Sequence, residues 1–358
     1  MPSGRIRSLL LALILFGSIA CAQTRRKIII DQDAAGPAGT DLQSTLLLIQ
    51  SPQTEVLGIT VVTGDQWLKA EVAHTLRMLE LIGRTDIPVA PGAEYPLVRT
   101  KEETEMWEQH FGQVAWLGAW TPRLYHPADD LGPMPEGEPT TKPADEDAAH
   151  FLVRMVHKYP NEITIYAGGP MTNIALALCI DPHFAGLVKE LVFMGASMNP
   201  LTDDPEFVDT PRHEFNLWFD PEAAHIMLRA PWKRIVCTPV DISVKTRLTK
   251  ALIDGLKVSN SPAANYVVTY ARLHGEYNYL WDELAALAWL DPGVITKKTD
   301  FYMDVDLDRG ANYGNTLTWG DNDKPKLVGR QVEVQVDVDL QKFYGMLVEL
   351  LKGETPKK

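Results

Sequence analysis

The sequence predicts an α/β fold with a mainly parallel sheet and helices on both faces. Short apolar segments rich in β-branched residues alternate with longer amphipathic segments, an order typical of βαβ units. Several short segments are apolar throughout and end in polar residues, as expected for buried parallel strands whose carboxyl ends open into a site. The 358 residues are enough for one large α/β domain, and we expect a single domain over residues 27–354.

The first strand and helix, within residues 27–50, bring three carboxylates together. A strand of three isoleucines leads into Asp31 and Asp33, an Ala-Gly-Pro turn follows, and Asp41 precedes an apolar helix. Open α/β sheets bind ligands at this kind of strand-to-helix junction. Packed carboxylates repel unless a cation lies among them, and oxygen ligands alone favour Ca²⁺ or Mg²⁺. The alternative is that Asp41 only caps the helix and Asp31 is a solvated strand end.

Further strand–helix units continue to the C-terminus. Each predicted strand is a short apolar run, and each helix has apolar residues at helical spacing with a cap or breaker at one end. The Asp-Pro pair at residues 220–221 is typical of a helix N-cap followed by its first residue. Strands are expected within residues 55–66, 86–98, 161–168, 189–200, 233–243 and 332–338, and helices within residues 67–83, 145–160, 172–178, 220–228, 249–280, 282–290 and 339–351.

Residues 100–146 interrupt this alternation and are predicted to form a long loop or lid. They contain Trp107, His110, Trp116 and Trp120, followed by a stretch rich in Pro, Gly and acidic residues. Long loops in compact domains are usually functional or mobile. An exposed Trp near a cleft can stack on a flat ring; the alternative is that these Trp side chains anchor the loop to the core.

Residues 1–22 have the features of a secretory signal peptide. Arg5 and Arg7 precede an apolar run over residues 9–19, and small residues surround Cys21. The run is shorter than a membrane span, and no second run approaches that length. We therefore expect cleavage after Ala22, export to the periplasm or the extracellular space, and no membrane span. Lipid attachment at Cys21 is the alternative.

The net charge and the cysteine content bear on nucleic-acid binding and on disulfide formation, respectively. The net charge is −13, from 34 Lys and Arg against 47 Asp and Glu, which argues against nucleic-acid binding because that function needs basic patches. Only Cys179 and Cys237 remain after the predicted cleavage. Both lie in apolar runs and are expected to be buried free thiols, although export permits a disulfide.

Polar groups follow most of the predicted strands and should meet at one edge of the sheet. An oxygen-rich edge of this kind can hold Ca²⁺ and position the vicinal hydroxyls of a sugar. The sequence contains no phosphate loop and no Gly-x-Ser-x-Gly elbow, and neither remaining cysteine has an obvious basic neighbour. The groups expected at this edge are Asp31, Asp33, Asp65, Gly168, Asn199 and Asp241, with Glu214, Asn216 and Asp282 joining from loops and helix starts.

The chain resembles the inosine-uridine preferring nucleoside hydrolases from Lys27 to its C-terminal helix. The opening cluster is similar to the family's Asp-x-Asp-x-x-x-Asp-Asp motif. The segment HEFNLWFDPEAAHIML, residues 213–228, is similar to the family's Glu-Phe-Asn and Asp-Pro-Glu-Ala-Ala motifs and is the most specific match. Residues 163–175 resemble its Gly-Gly-Leu-Thr-Asn segment, and residues 280–292 resemble its His-Asp-Pro metal segment.

The resemblance implies a nucleoside-hydrolase architecture on a Rossmann-like sheet, one Ca²⁺, a small-molecule ribosyl substrate, and a homodimer or homotetramer. By position, Asp33, Asp41 and Asp282 would ligate the metal through carboxylates and Gly168 through its carbonyl. Glu214 and Asn216 would hold the ribose hydroxyls, and Asp31 would lie beside the metal. The remaining implied substrate contacts are Thr40, Asp65, His110 and Asn199, and Trp281 is the implied catalytic partner of Asp33.

The implied reaction is hydrolysis of the N-glycosidic bond of ribonucleosides. Ca²⁺ would lower the pKa of a bound water so that Asp33 can take its proton. The resulting hydroxide would attack C1′ of the ribosyl group through an oxocarbenium-like transition state, whose positive charge nearby carboxylates stabilise. The leaving base must be protonated or otherwise made a better leaving group.

Several positions depart from the family pattern. Asp33 and Asp41 are eight positions apart, farther than in the family's cluster. Thr40 replaces an Asp that grips a ribose hydroxyl, Asp65 stands where the family has Asn, and Trp281 replaces the His before the metal Asp. A Trp has no acidic proton to donate, but it can stack on a purine and favour protonation of that base; packing in the core is the alternative for Trp281.

These departures keep three functions open. The first is a secreted Ca²⁺-dependent ribonucleoside hydrolase. The second is a hydrolase of another ribosyl or glycosyl compound, favoured by the changes at Thr40, Asp65 and Trp281. The third is a non-catalytic protein that binds sugars or nucleosides, in which ligand would stabilise the fold without forming product.

Overall fold

The computed structural model describes residues 25–122, 126–273 and 278–356. Within these ranges, nine strands form one sheet in the order β3-β2-β1-β4-β5-β6-β9-β7-β8. The strands are β1 (Arg26–Gln32), β2 (Thr54–Val61), β3 (Val89–Pro91), β4 (Thr164–Ala167), β5 (Glu190–Met194), β6 (Ile235–Thr238), β7 (Ile295–Val305), β8 (Thr316–Trp319) and β9 (Gln331–Val338).

The helices of the described ranges connect these strands. Two short 3₁₀ turns, Gly118–Trp120 and Pro292–Val294, accompany them. The helices are α1 (Thr40–Gln50), α2 (Leu68–Leu81), α3 (Lys101–Phe111), α4 (Ala148–Lys158), α5 (Thr172–Ile180), α6 (Phe184–Leu187), α7 (Pro205–Asp209), α8 (Phe215–Phe219), α9 (Pro221–Arg229), α10 (Val240–Ser243), α11 (Lys250–Leu256), α12 (Pro262–Tyr270), α13 (Trp281–Leu290) and α14 (Leu340–Lys352).

The sheet is mainly parallel, as predicted. Strand β1 pairs in parallel with β2 and β4, and the parallel pairing continues through β5 and β6 to β9. Strands β7 and β8 add an antiparallel end that the sequence did not predict. Strand β7 carries Lys297, Lys298 and Asp300 among its apolar residues and is partly exposed, so it lacks the apolar run that marks a buried parallel strand.

Side chains of β1 show how the sheet separates two hydrophobic cores. Ile28 and Ile30 pack on one face with α1, α13 and α14, whereas Ile29 packs on the other face with α4, α5 and α9. This alternation follows from the period of two along a strand. The expectation of helices on both faces is therefore confirmed.

The structure corrects three expectations from the sequence. The segment 100–146 is not a continuous loop, because Thr100 accepts the backbone N–H of Glu103 and caps helix α3. The predicted helical stretch 249–280 divides into α11 and α12. Cys179 is exposed and not buried, because it lies in the last turn of α5, whereas Cys237 is buried; both are free thiols.

The predicted signal peptide and its cleavage or lipidation site, residues 1–22, lie outside the described residues. Among the residues described, no helix has the length and apolar character that crossing a membrane requires.

The Asp220 carboxylate connects helix α9 to two other segments through hydrogen bonds. We therefore expect its replacement by Ala to destabilise the fold. One carboxylate oxygen accepts the backbone N–H of Ala223 at 3.1 Å, while the other accepts the N–H of Leu97 at 2.9 Å and the hydroxyl of Thr172 at 2.7 Å. Asp220 is fully buried, so Asp220→Ala leaves buried donors unpaired. We expect the free energy of unfolding to fall by about 3 kcal/mol, measured by urea denaturation.

Asp339 provides the matched control. Its carboxylate caps α14 by accepting the N–H of Lys342 at 3.0 Å, but Asp339 is exposed, and its contact with another segment is made by its backbone N–H, which Asp339→Ala would retain. Asp339→Ala should cost only about 1 kcal/mol. Equal losses in the two variants would contradict the account of Asp220.

Candidate active site

The carboxyl ends of the central parallel strands open into a cavity of about 570 Å³. Asp33 enters it just after β1, Asp65 just after β2 and Gly168 just after β4, while α13 brings Asp282 from a distant part of the chain. This is the edge at which ligands bind in open α/β sheets. The predicted site residues that line the cavity are Asp33, Thr40, Asp41, Asp65, Gly168, Glu214, Asn216, Trp281 and Asp282.

Four residues that were predicted at this edge or as substrate contacts do not line the cavity, namely Asp31, His110, Asn199 and Asp241. Asp31 is fully buried at the end of β1, where it accepts hydrogen bonds from Thr60 and Asn173. His110 lies on α3 and lines a separate cavity. Asn199 is exposed, and its backbone N–H donates to Asp241 at 2.8 Å. The expectation that His110 and Asn199 contact the substrate therefore has no support from their positions.

Gly64 and Gly169 pack closely against Asp33 from two sides. A side chain at Gly64 would come within 2.1 Å of the Asp33 carboxylate, and one at Gly169 within 2.7 Å of its backbone nitrogen. The backbone N–H of Asp65 donates to Asp33 Oδ2 at 3.1 Å. Oδ1 of Asp33 is buried and has no hydrogen-bond partner. The fold thus fixes Asp33 while leaving one of its oxygens available.

Asp41 is not the N-cap of its helix, contrary to the alternative that the sequence left open, and Asp282 is not the N-cap of its helix either. Gly39 is the N-cap of α1 and Leu280 that of α13, and neither aspartate makes a cap hydrogen bond as the N-cap residue. Each carboxylate is buried in a first helical turn, where the helix dipole favours negative charge. Asp41 Oδ2 and Asp282 Oδ1 accept no hydrogen bond from a donor group of another residue, but the two carboxyl groups lie close enough to share a proton with each other.

The three aspartates are close enough to perturb one another. Burial raises the pKa of Asp33 well above its usual range, and the neighbouring charge of Asp41 raises it further. The pKa of Asp41 is raised first by burial and then by Asp282. Buried like charges of this kind are costly unless they are protonated or share a cation.

The donor chemistry of this cluster fits a hard cation. As they are placed, no three or more His, Cys, Asp and Glu side chains within the described ranges form a group that could hold a metal ion. Binding would therefore require the carboxyl groups of Asp33, Asp41 and Asp282 to draw together. Their unpartnered buried oxygens are the type of ligand that Ca²⁺ and Mg²⁺ accept.

Glu214 and Asn216 are held rigidly beside the cluster. Glu214 accepts the backbone N–H groups of Asn216 at 2.8 Å, Leu217 at 3.0 Å and Ala196 at 2.9 Å. Burial nevertheless raises the pKa of Glu214 to about 7. The side-chain amide of Asn216 donates to the carbonyl oxygen of Gly168 at 2.7 Å, and that oxygen retains a second lone pair.

Thr40 is linked to Glu283, a residue that sequence reasoning missed. The Thr40 hydroxyl donates to Glu283 and accepts the backbone N–H of Asp282 at 3.3 Å. Glu283 is fully buried and lines the cavity. The carboxylate that is absent at position 40 is thus replaced nearby by one on α13. Only its position directly after Asp282 could have drawn attention to Glu283.

Aromatic side chains line another part of the cavity. Trp281 packs against Tyr279, with ring centroids 4.4 Å apart, and against Phe207 at 5.7 Å. Trp116 also lines the cavity, and its indole N–H donates to Asp65 at 2.5 Å. Trp120, by contrast, is buried against Phe219. In segment 100–146, Trp116 therefore lines the cavity, whereas Trp120 anchors the segment to the core.

Comparisons with known proteins find similarity over most of the chain. The family model described as inosine-uridine preferring nucleoside hydrolase covers residues 28–345. An uncharacterized protein of Schizosaccharomyces pombe is 32% identical over 96% of this chain and 90% of its own length. The inosine-uridine preferring nucleoside hydrolase of Crithidia fasciculata is 27% identical over 91% of this chain and 98% of its own.

Solved structures have the same fold. A plant nucleoside hydrolase superposes with a TM-score of 0.74 at 26% identity, covering 91% of this chain and 99% of its own. An inosine-guanosine nucleoside hydrolase superposes with a TM-score of 0.71 at 21% identity, which shows similarity of fold alone. The residues matched by the family model, 28–345, include every residue that lines the cavity.

Proposed function

The chain belongs to the inosine-uridine preferring nucleoside hydrolase family and is an N-glycosyl hydrolase, and on this premise we propose that it hydrolyses ribonucleosides to base and ribose with one Ca²⁺. The observation that carries the proposal is the set of buried carboxylate oxygens without partners on Asp33, Asp41 and Asp282. They lie in one cavity with Glu214 and Asn216. A hard cation would offset their mutual repulsion and could also hold a pentose hydroxyl.

In this proposal, the protein contributes the ligands and the base. Asp33, Asp41, Asp282 and the Gly168 carbonyl would hold the ion. When bound, Ca²⁺ lowers the pKa of a coordinated water. Asp33 accepts a proton from the water that attacks C1′, through the oxygen that the fold leaves without a partner.

Glu214 and Asn216 orient the sugar. Because backbone N–H groups fix the Glu214 carboxylate, its remaining lone pairs can accept a ribose hydroxyl with little reorganisation. Fixed carboxylates in a buried site also stabilise the positive charge that develops on the ribosyl ring. Trp281 and its aromatic neighbours offer a flat apolar surface for the leaving base.

A panel of nucleosides tests this function. Purified protein with added Ca²⁺ is incubated with inosine, adenosine, guanosine, uridine and cytidine, and released ribose is measured. We expect turnover of at least one nucleoside and loss of activity on chelation. Stabilisation by nucleosides without any product would instead indicate a binding protein, and no turnover with metal bound would contradict the nucleoside assignment.

The Thr40–Glu283 hydrogen bond favours a second candidate on the same fold. Because the Thr40 hydroxyl is committed to Glu283, the grip on the sugar differs from the predicted family pattern. The alternative is a hydrolase of another ribosyl or glycosyl compound. Release of sugar from such compounds, with all five nucleosides inert, would select this candidate.

We also propose that the protein is exported and assembles as a homodimer or homotetramer. The proposal of export rests on the basic and apolar pattern of residues 1–22, and that of assembly rests on the family. N-terminal sequencing after expression in a secreting host would identify cleavage after Ala22 or lipidation at Cys21. Light scattering of the mature protein would give its oligomeric state.

A further inference from the structure

We propose that Glu206 is the general acid that protonates the leaving base. The inference rests on the proposed function, because it assigns one more residue to that reaction. Glu206 lies on α7 and lines the same cavity as Asp33 and Glu214. The indole of Trp281, which lines the cavity, has no proton acidic enough for this step.

Helix α7 places Glu206 at the aromatic part of the cavity. The carboxylate of Asp204 accepts the backbone N–H of Glu206 at 3.1 Å, and Pro205 begins the helix. Phe207 is buried and packs edge-on against Trp281, with ring centroids 5.7 Å apart. Since Phe207 fixes α7 against the residue proposed to stack on the base, the adjacent Glu206 is carried to the same region.

The surroundings of Glu206 suit an acid that works near neutral pH. Burial raises the pKa of Glu206 to about 7, and the charges of Asp204, Glu214 and Asp65 contribute in the same direction. Asp204 faces Glu206 from the start of α7, Glu214 from the start of α8, and Asp65 from the loop after β2. Arg272 and Tyr279 also line the cavity. Half-ionised near neutral pH, such a carboxyl group is matched to proton transfer.

The proton balance of the step is complete. The C1′–N bond breaks, and its electron pair goes to the base, which takes the proton of the Glu206 carboxyl group. Water forms the new bond to C1′ and gives a proton to Asp33. Exchange with solvent then returns a proton to Glu206 and removes one from Asp33, so the net reaction consumes one water.

The test compares two leaving groups in the wild type and in Glu206→Gln. Inosine needs a protonated leaving group, whereas 4-nitrophenyl β-ribofuranoside releases a stable phenolate without one. We expect Glu206→Gln to lower kcat on inosine by about 10²-fold or more and to leave kcat on the nitrophenyl riboside within a few-fold. Since the acid must be protonated, kcat of the wild type on inosine should fall as pH rises above about 7, and the variant should lack this limb.

Two further variants keep the test decisive. Glu206→Asp retains a carboxyl group and should keep the alkaline limb with reduced kcat. Asp209→Asn, at the exposed end of α7, should leave both substrates unaffected. An equal loss of kcat on both substrates in Glu206→Gln, or an unchanged fall of kcat at alkaline pH, would overturn the role of Glu206. Neither result would contradict the proposed hydrolase activity. Failure of the wild type on both substrates would overturn the proposed function and this role with it.

Discussion

Asp33→Ala is expected to lower kcat on any nucleoside substrate by at least about 10³-fold, because it removes both a general base and a proposed metal ligand. The Asp33 carboxylate is held between Gly64 and Gly169 and keeps one buried oxygen without a partner. Steady-state kinetics with inosine or uridine measures the loss.

The same variant should not unfold the protein. Asp33 is one of several packed like charges, so without metal its removal relieves repulsion, and the free energy of unfolding should not fall. Sugar binding through Glu214 and Asn216 should persist and can be followed by thermal shift with ribose. Asp145→Asn, a change of an exposed carboxylate, is the matched control with unchanged kcat. An Asp33→Ala protein that retains more than a tenth of wild-type kcat would contradict the assignment.

The sheet was predictable from the sequence because its central strands are buried on both faces. Runs such as Ile28–Ile30 must be apolar at every position in such a strand, and the polar residues that follow mark its carboxyl end. Asp33, Asp65 and Gly168 could therefore be assigned to one edge. The antiparallel strand β7 was missed because its exposed side chains are charged.

The rest of the site depends on contacts between distant segments. Glu206 reaches the cavity because Phe207 packs against Trp281, more than seventy positions along the chain. Glu283 is identified only by its hydrogen bond to Thr40. His110 lines another cavity because it lies on α3, a helix that the sequence did not predict. No local pattern encodes these placements, since each is decided by packing between elements.

Asp282→Asn is expected to abolish Ca²⁺ binding and turnover together. Asp282 is buried in the first turn of α13, has an oxygen without a partner, and is not the cap of its helix. An amide retains the shape of the side chain but loses the charge that a hard cation requires. Since even outer partners of a metal site change affinity by about 10–100-fold, loss of a direct ligand should weaken Ca²⁺ binding by at least about 100-fold, measured by calorimetric titration.

Thermal unfolding separates this role from a structural one. Ca²⁺ at about 100 times its dissociation constant should stabilise the wild type by about 2.7 kcal/mol, and this gain should vanish in Asp282→Asn. Asp254→Asn, at a solvent-exposed carboxylate paired with Lys250 and Lys257, should keep both the gain and the activity. Were Asp282 merely a capping residue, the variant would lose about 1 kcal/mol of stability and retain Ca²⁺ binding and kcat. Normal Ca²⁺ affinity and activity in Asp282→Asn would therefore show that Asp282 is not a ligand of the ion.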